Sequence, residues 1–306
     1  MKASAPGKLL LSGAYSVLEG AEAIVTAVDR YVLCDSERPA ERVTPEVLAA
    51  LGPSPAPYFD ASALRAENRK LGLGSSAAIL VASLAALHER VEEPEALRRS
   101  IESVAVAAHR RAQGGGSGVD VLASVWGGTA IVRRTPDTLL LRRSVPLPGD
   151  LVVEAWAADV SASTPLLLAR VAAFREREPA RHAQVMAELH ASATRAARAL
   201  EASQSRGIIA EMNAQRQWLS ALGAGAEVSI VTDQVHALAA SASSCEAAVL
   251  PSGAGGGDIV LWVSSLPSPP EFRSLAAQLG HELVPLGLGA RGVEQLPAER
   301  VSQRGA

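Results

Sequence analysis

Glycine gathers in three places along the 306-residue chain: Leu71-Gly72-Leu73-Gly74-Ser75-Ser76, Gly114-Gly115-Gly116-Ser117-Gly118-Val119-Asp120, and Pro251-Ser252-Gly253-Ala254-Gly255-Gly256-Gly257-Asp258. Glycine lets backbone approach a ligand that a side chain would fend off. The first cluster runs straight into 77–91, an almost unbroken helix former. A glycine loop opening a helix offers backbone N–H groups with the positive end of the helix dipole behind them, which is what a triphosphate requires. The hydroxyls of Ser75 and Ser76 are of the kind that bind a phosphate or a metal ion. The plain alternative is an ordinary helix with Ser75 or Ser76 as its N-cap. Asp120 likewise reads either as a functional carboxylate or as a helix cap or turn residue, and the third cluster reads either as a ligand loop or as a tight turn.

Two common nucleotide signatures are excluded. No GxxxxGK[ST] occurs, and the first cluster does not fit GxGxxG followed by an acidic residue on the next strand. A formal net charge of -3 gives no basic footprint for nucleic acid or an anionic membrane. Cys34 and Cys245 are too far apart for a zinc knuckle or a disulfide framework, so reduced thiols in a cytoplasm are expected. The first residues contain no apolar run of signal-peptide length, and no later stretch of about 20 residues is free of charge. A cytoplasmic protein without membrane or nucleic-acid partners is the expectation.

With 48% of its residues hydrophobic, the chain has apolar surface for more than one compact lobe. Strands and turns are expected over 8–32, a proline-rich connection with a short helix at 45–51 inside 39–57, a helix over 95–113, an apolar pattern over 119–126 and a strand over 129–133. Residues 146–150 read as a boundary between halves. Beyond it come a strand over 151–156, helices over 165–200 and 207–222, a strand, loop and strand over 249–263, and a helix over 271–280. The residues after Arg291 read as polar and loosely held.

Joined to Ala5-Pro6-Gly7-Lys8, the three clusters resemble the GHMP kinases in order and spacing over nearly the whole chain. Ala5-Pro6-Gly7-Lys8 is similar to the family's first motif, 71–78 to its phosphate loop and 252–257 to its third motif. The resemblance implies an α+β fold in two lobes. An N-terminal nucleotide-binding domain would span 1–148 and a C-terminal ferredoxin-like domain 149–306. It implies ATP and Mg2+, catalytic roles for Lys8 and Asp120, and nucleotide contacts from Lys70, Gly72, Leu73, Gly74, Ser75, Ser76 and Ala77, with Ser76 on the metal. Acceptor contacts are implied at Ser117, Gly118, Ser161, Ser163, Thr164, Ser252, Gly253, Ala254 and Gly255. The lysine-led loop from Lys70, the segment from Gln113 through Gly128, Asp258 and the serine-rich 161–164 resemble the branch that phosphorylates phosphomevalonate. Mevalonate or homoserine as acceptor, or a catalytically silent metabolite-binding relative, are the competing readings. A homodimer is compatible with all of them.

Three positions depart from the family pattern. Ala14 replaces a glutamate, Leu250 stands where a lysine often precedes the third motif, and His109 aligns with a metal-binding glutamate of mevalonate kinases. The plain reading of His109 is a helix-face histidine with a local hydrogen bond.

Overall fold

The computed structural model describes residues 1–66, 69–135, 140–158 and 163–297. In chain order the elements are β1 (Lys2–Ser12), β2 (Glu22–Pro39), α1 (Pro45–Leu51), β3 (Pro57–Asp60), β4 (Arg65–Ala66), β5 (Arg69–Lys70), α2 (Ser75–Leu87), α3 (Pro94–Gln113), α4 (Val119–Trp126), β6 (Thr129–Arg134), β7 (Leu140–Ser144) and β8 (Val152–Ala158). They continue with α5 (Thr164–Arg177), α6 (Pro179–Glu201), α7 (Ser205–Ala226), α8 (Asp233–Ser241), β9 (Ala248–Pro251), β10 (Ile259–Ser264), α9 (Pro270–Gln278), β11 (His281–Val284) and β12 (Glu294–Leu296). The result is an α+β fold. Its residues divide into two compact units, one of 1–9, 26–128 and 287–306, the other of 10–25 and 129–286.

In the first unit β1 pairs antiparallel with β12, Lys2 opposite Leu296, while β2 pairs with β3, Leu33 opposite Asp60. Helix α2 is apolar on every side, with Ala77, Ala78, Leu80, Val81, Ala82 and Ala85 all fully buried. A helix of that kind must be surrounded, and α1, α3, α4, β3 and β12 all pack on it or next to it. Small alanine faces allow these close approaches, and each buried Leu or Val contributes about 1.5–3 kcal/mol. The residues after Arg291 are therefore not loose throughout, because 294–296 form the edge strand on β1. Gln295 is fixed further, its side-chain amide donating to the Ala85, His88 and Glu89 carbonyls. Residues 298–306 lie outside the described part.

In the second unit a four-stranded antiparallel sheet runs in the order β11-β8-β10-β9. The chain visits it as strand, helices, two strands, helix, strand, which is the ferredoxin-like arrangement. Trp156, Trp262 and Phe272 form its aromatic core, with ring centroids 5.6 and 4.6 Å from Phe272. The expected single helix over 165–200 is two helices. Pro179 cannot continue the helix of α5 because it lacks an N–H, so it begins α6 instead. Helix α8, capped by the Thr232 hydroxyl accepting from the Val235 amide, was not expected from the sequence. Cys34 and Cys245 are both free. Among the described residues no helix is long and apolar enough to cross a membrane.

Candidate active site

Lys8 lies near the centre of β1, and its amide donates to the Leu73 carbonyl at 2.9 Å, which ties the first motif to the glycine loop. Gly7 has to be glycine for the same reason, since a Cβ there would stand 2.8 Å from the Leu73 carbonyl oxygen. Ser124 holds Pro6 from the other flank, its hydroxyl donating to the Pro6 carbonyl at 2.8 Å. The loop then crosses the lysine stem. Gly74 has φ 74, and a Cβ on it would be 3.0 Å from both Cγ and Cε of Lys8.

Helix α2 starts at Ser75, with Gly74 in the left-handed region as its N-cap and no side-chain cap hydrogen bond. The plain reading of Ser75 or Ser76 as the cap is thereby set aside. The helix's first amides have no side-chain acceptor, and the Ser75 and Ser76 hydroxyls make no hydrogen bond among the described residues. Open amides, a dipole end and free hydroxyls form a site for anionic oxygens.

Lys8 is 6% exposed, and its Nζ lies 3.4 Å from Oδ2 of Asp120. Asp120 is the second residue of α4, whose N-cap is Gly118 at φ 80. It is neither the cap nor a turn residue, and a third of its side chain is exposed. The loop, the ammonium and the carboxylate thus lie in the same unit, with Lys8 under Gly74 and beside Asp120. Ser117 and Gly118 immediately precede α4. The Ser117 hydroxyl accepts from the Val119 amide and the Ser117 carbonyl accepts from Arg110. Lys70 is exposed on the short β5 strand.

His109 does not make the local hydrogen bond expected of it. It is 4% exposed, its Nδ1 is buried without a partner, and a Cβ on Gly116 would stand 3.7 Å from the ring. Burial pushes its pKa below the usual histidine value, against the pull of Asp120 and Glu46 and with the help of Lys8 and Arg110. Glu46, on α1, is buried too and accepts from the Gln113 side-chain amide at 3.0 Å. Burial alone would raise the Glu46 pKa, but the bonds from Gln113 and backbone, with the His109 ring nearby, bring it below the ordinary value. Glu46 carried no sequence signal, because it stands in a short helix that reads as surface.

These shifts set a pH dependence. The unfolded chain takes up a proton on His109 near pH 6.5 while the folded protein resists it, so stability drops as pH falls through that value. Glu46 acts in the same direction lower down, its contribution being present above 4.5 and lost as pH falls through its folded value. Melting temperatures at about pH 7.5 and about pH 5.5 check this. Wild type is expected to lose more than His109→Gln over that interval, and equal losses would remove His109 from the acid limb.

In the second unit Ser252 is 8% exposed, and its hydroxyl donates to the Leu10 carbonyl and accepts from the Leu10 amide at 3.0 and 3.1 Å. Gly253, Gly255, Gly256 and Gly257 all have positive φ, which accounts for the glycine density of the third cluster. Ala254 receives the Tyr15 hydroxyl on its carbonyl at 2.6 Å. Neither Tyr15 nor Gln215, whose side-chain oxygen accepts from the Gly13 amide at 2.9 Å, was singled out from the sequence. Ser163 is the N-cap residue of α5 without a side-chain cap bond, Thr164 opens the helix, and Ser161 lies outside the described residues. Ala14 and Leu250 are 8% and 2% exposed, so both departures from the family pattern sit in packed positions.

Residues 63–128, which contain the glycine loop and Asp120, match the GHMP kinases N terminal domain. The phosphomevalonate kinase of Streptomyces sp. (strain CL190) is 26% identical over 331 aligned positions, covering 83% of this chain and 87% of that protein. The mevalonate kinase of Archaeoglobus fulgidus is 32% identical over 204, covering 58% of this chain and 66% of that one. Among solved structures, a Lin0012 protein from Listeria innocua superposes with TM-score 0.82 at 22% identity, covering 96% of this chain and 99% of its own. Streptococcus pneumoniae phosphomevalonate kinase in complex with phosphomevalonate and AMPPNP gives 0.74 at 18%, covering 94% and 99%. The match falls on the very segment that builds the loop around Lys8, the relatives extend the likeness along most of the sequence, and the architecture is that of the solved kinases: residues 63–128 match the GHMP kinase N-terminal domain within a chain of the GHMP kinase fold.

Proposed function

We propose that the protein transfers the terminal phosphoryl group of ATP to phosphomevalonate, giving diphosphomevalonate. The observation that carries the reading is the buried Lys8 ammonium, 3.4 Å from Asp120 and covered by the uncapped start of α2. Amides of 72–77 and the Ser75 hydroxyl would bind the nucleotide phosphates, with Lys70 at the mouth of the loop. Ser76 would hold Mg2+, a hard ion suited to its unengaged hydroxyl and to phosphate oxygens. Among the described residues no group of three His, Cys, Asp or Glu side chains is set to hold a metal. When bound, Mg2+ neutralises charge on the phosphates.

Phosphoryl transfer asks the protein mainly for alignment and charge stabilisation. Lys8 supplies a positive charge on the transferred group, held in place by Asp120 on one side and Gly74 on the other. The acceptor phosphate is largely deprotonated near neutral pH, so its oxygen attacks phosphorus as the bond to ADP breaks, without a strong base. Asp120 then orients Lys8 and the acceptor. Ser117, Gly118, Ser161, Ser163, Thr164 and 252–255 are the proposed acceptor contacts, in family domains of 1–148 and 149–306.

Mevalonate is the second reading, supported by the 32% identity to an archaeal mevalonate kinase. An alcohol must lose its proton, and Asp120 would then act as general base. Purified protein incubated with MgATP and each acceptor, followed by mass spectrometry of the products, separates the two. The diphosphate is expected from phosphomevalonate; product only from mevalonate would replace the proposal, and transfer to neither would point to a silent relative.

A further inference from the structure

Tyr15 has φ 62 and ψ −52, and across it the Ser16 amide donates to the Ala14 carbonyl at 2.7 Å. This is a γ-turn of the rare, strained hand. A side chain with a Cβ is held in such backbone only where surrounding contacts over-determine it. They do so here. Gln215 accepts from the Gly13 amide at 2.9 Å and its own amide donates to the Ser12 hydroxyl at 2.8 Å. The Val17 and Leu18 amides donate back to the Gly13 and Tyr15 carbonyls.

The strained turn delivers a phenol. Tyr15 is 6% exposed, and its hydroxyl donates to the Ala254 carbonyl at 2.6 Å. Burial raises its pKa, so the group stays a donor throughout the neutral range. The loop that receives it has little rigidity of its own, being glycine at four of six positions from 252 to 257. One end is held by Ser252 on Leu10, the other by the Gly256 amide on the Ile230 carbonyl at 3.0 Å. The Tyr15 bond fixes the carbonyl between them.

We propose that Tyr15 is a positioning residue for the acceptor: its γ-turn presses the phenol onto Ala254 and so holds the 252–257 amides in the arrangement that grips an anionic acceptor. This rests on the reading above that the loop contacts the acceptor. Phenylalanine would fill the same volume, and what the tyrosine adds is one hydroxyl aimed at one carbonyl.

Tyr15→Phe is the test, read by hydrogen exchange of the ligand-free protein and by steady-state kinetics. Exchange across 252–257 is expected to quicken about tenfold, as for loss of one hydrogen bond. The acceptor KM is expected to rise by about tenfold while the ATP KM stays within about twofold. Tyr15→Gly, which takes the turn without strain, serves as a second variant and should loosen the loop as well. Unchanged exchange in 252–257 overturns the latch whatever the enzyme acts on. Quicker exchange with an unaltered acceptor KM overturns its role in acceptor binding. A wild type that transfers nothing to phosphomevalonate fails the functional reading instead, and exchange alone then decides on the latch.

Discussion

Lys8→Ala is expected to lower kcat by about a thousandfold while changing nucleotide affinity by less than about fivefold. The asymmetry follows from the geometry. Nucleotide phosphates would be bound chiefly by the backbone of 72–77, which the substitution leaves in place, whereas the Lys8 ammonium, 3.4 Å from Asp120, would meet the charge that shifts during transfer. The lysine is 6% exposed, and in so dry a place a charge acts more strongly than in water. Asp120→Ala should act in the same direction, because it leaves the ammonium without the partner that orients it. Steady-state turnover and calorimetric titration with a non-hydrolysable ATP analogue measure the two quantities. Full turnover in either variant would remove that residue from the site. The two effects should not add, since they act through one pair.

Gly255→Ala is expected to destabilise the protein by about 3 kcal/mol or more, and to melt it several degrees below wild type. Gly255 has φ 78, where a Cβ is strained, and the added atom would stand 2.2 Å from the Ile230 carbonyl oxygen. That oxygen is backbone and accepts from the Gly256 amide at 3.0 Å, so it cannot move aside without breaking the contact that anchors the loop. Gly149 gives the control. A Cβ there meets nothing within 4 Å and its φ is not positive, so Gly149→Ala should leave the melting temperature within about a degree. Equal melting temperatures for the two variants would mean that the third loop is slack.

The sequence was most legible where one residue type does one local job. Glycine followed by a long alanine-rich run marks the start of α2, and Gly114 after a periodic stretch marks the end of α3, which runs from Pro94 rather than Glu95 to Gln113. The strand, glycine loop and strand over 249–263 appear as β9 and β10 joined by the third cluster. Pro179 carries a helix-start signal, but the continuous apolar pattern on either side masks it. What could not be read is set by partners far away in the chain. Gln215 looks like any polar residue of a helix until it meets Gly13, 202 positions earlier. Glu46 and His109 acquire meaning only when α1 packs on α3. Tyr15 is a common residue in an uncommon backbone state, and nothing in its neighbours' identities announces a γ-turn.

Helix α2 has consequences for the thermodynamics of the whole protein. Its opening amides are met by no side chain among the described residues, so the free energy of that turn depends on what the solution supplies. In the reading proposed here, ATP enters the folding equilibrium as well as the reaction, and at a hundred times its dissociation constant it would add about 2.7 kcal/mol to the native state. The fraction folded would then follow the energy charge of its surroundings, and a depleted nucleotide pool would leave the same chain easier to unfold and degrade.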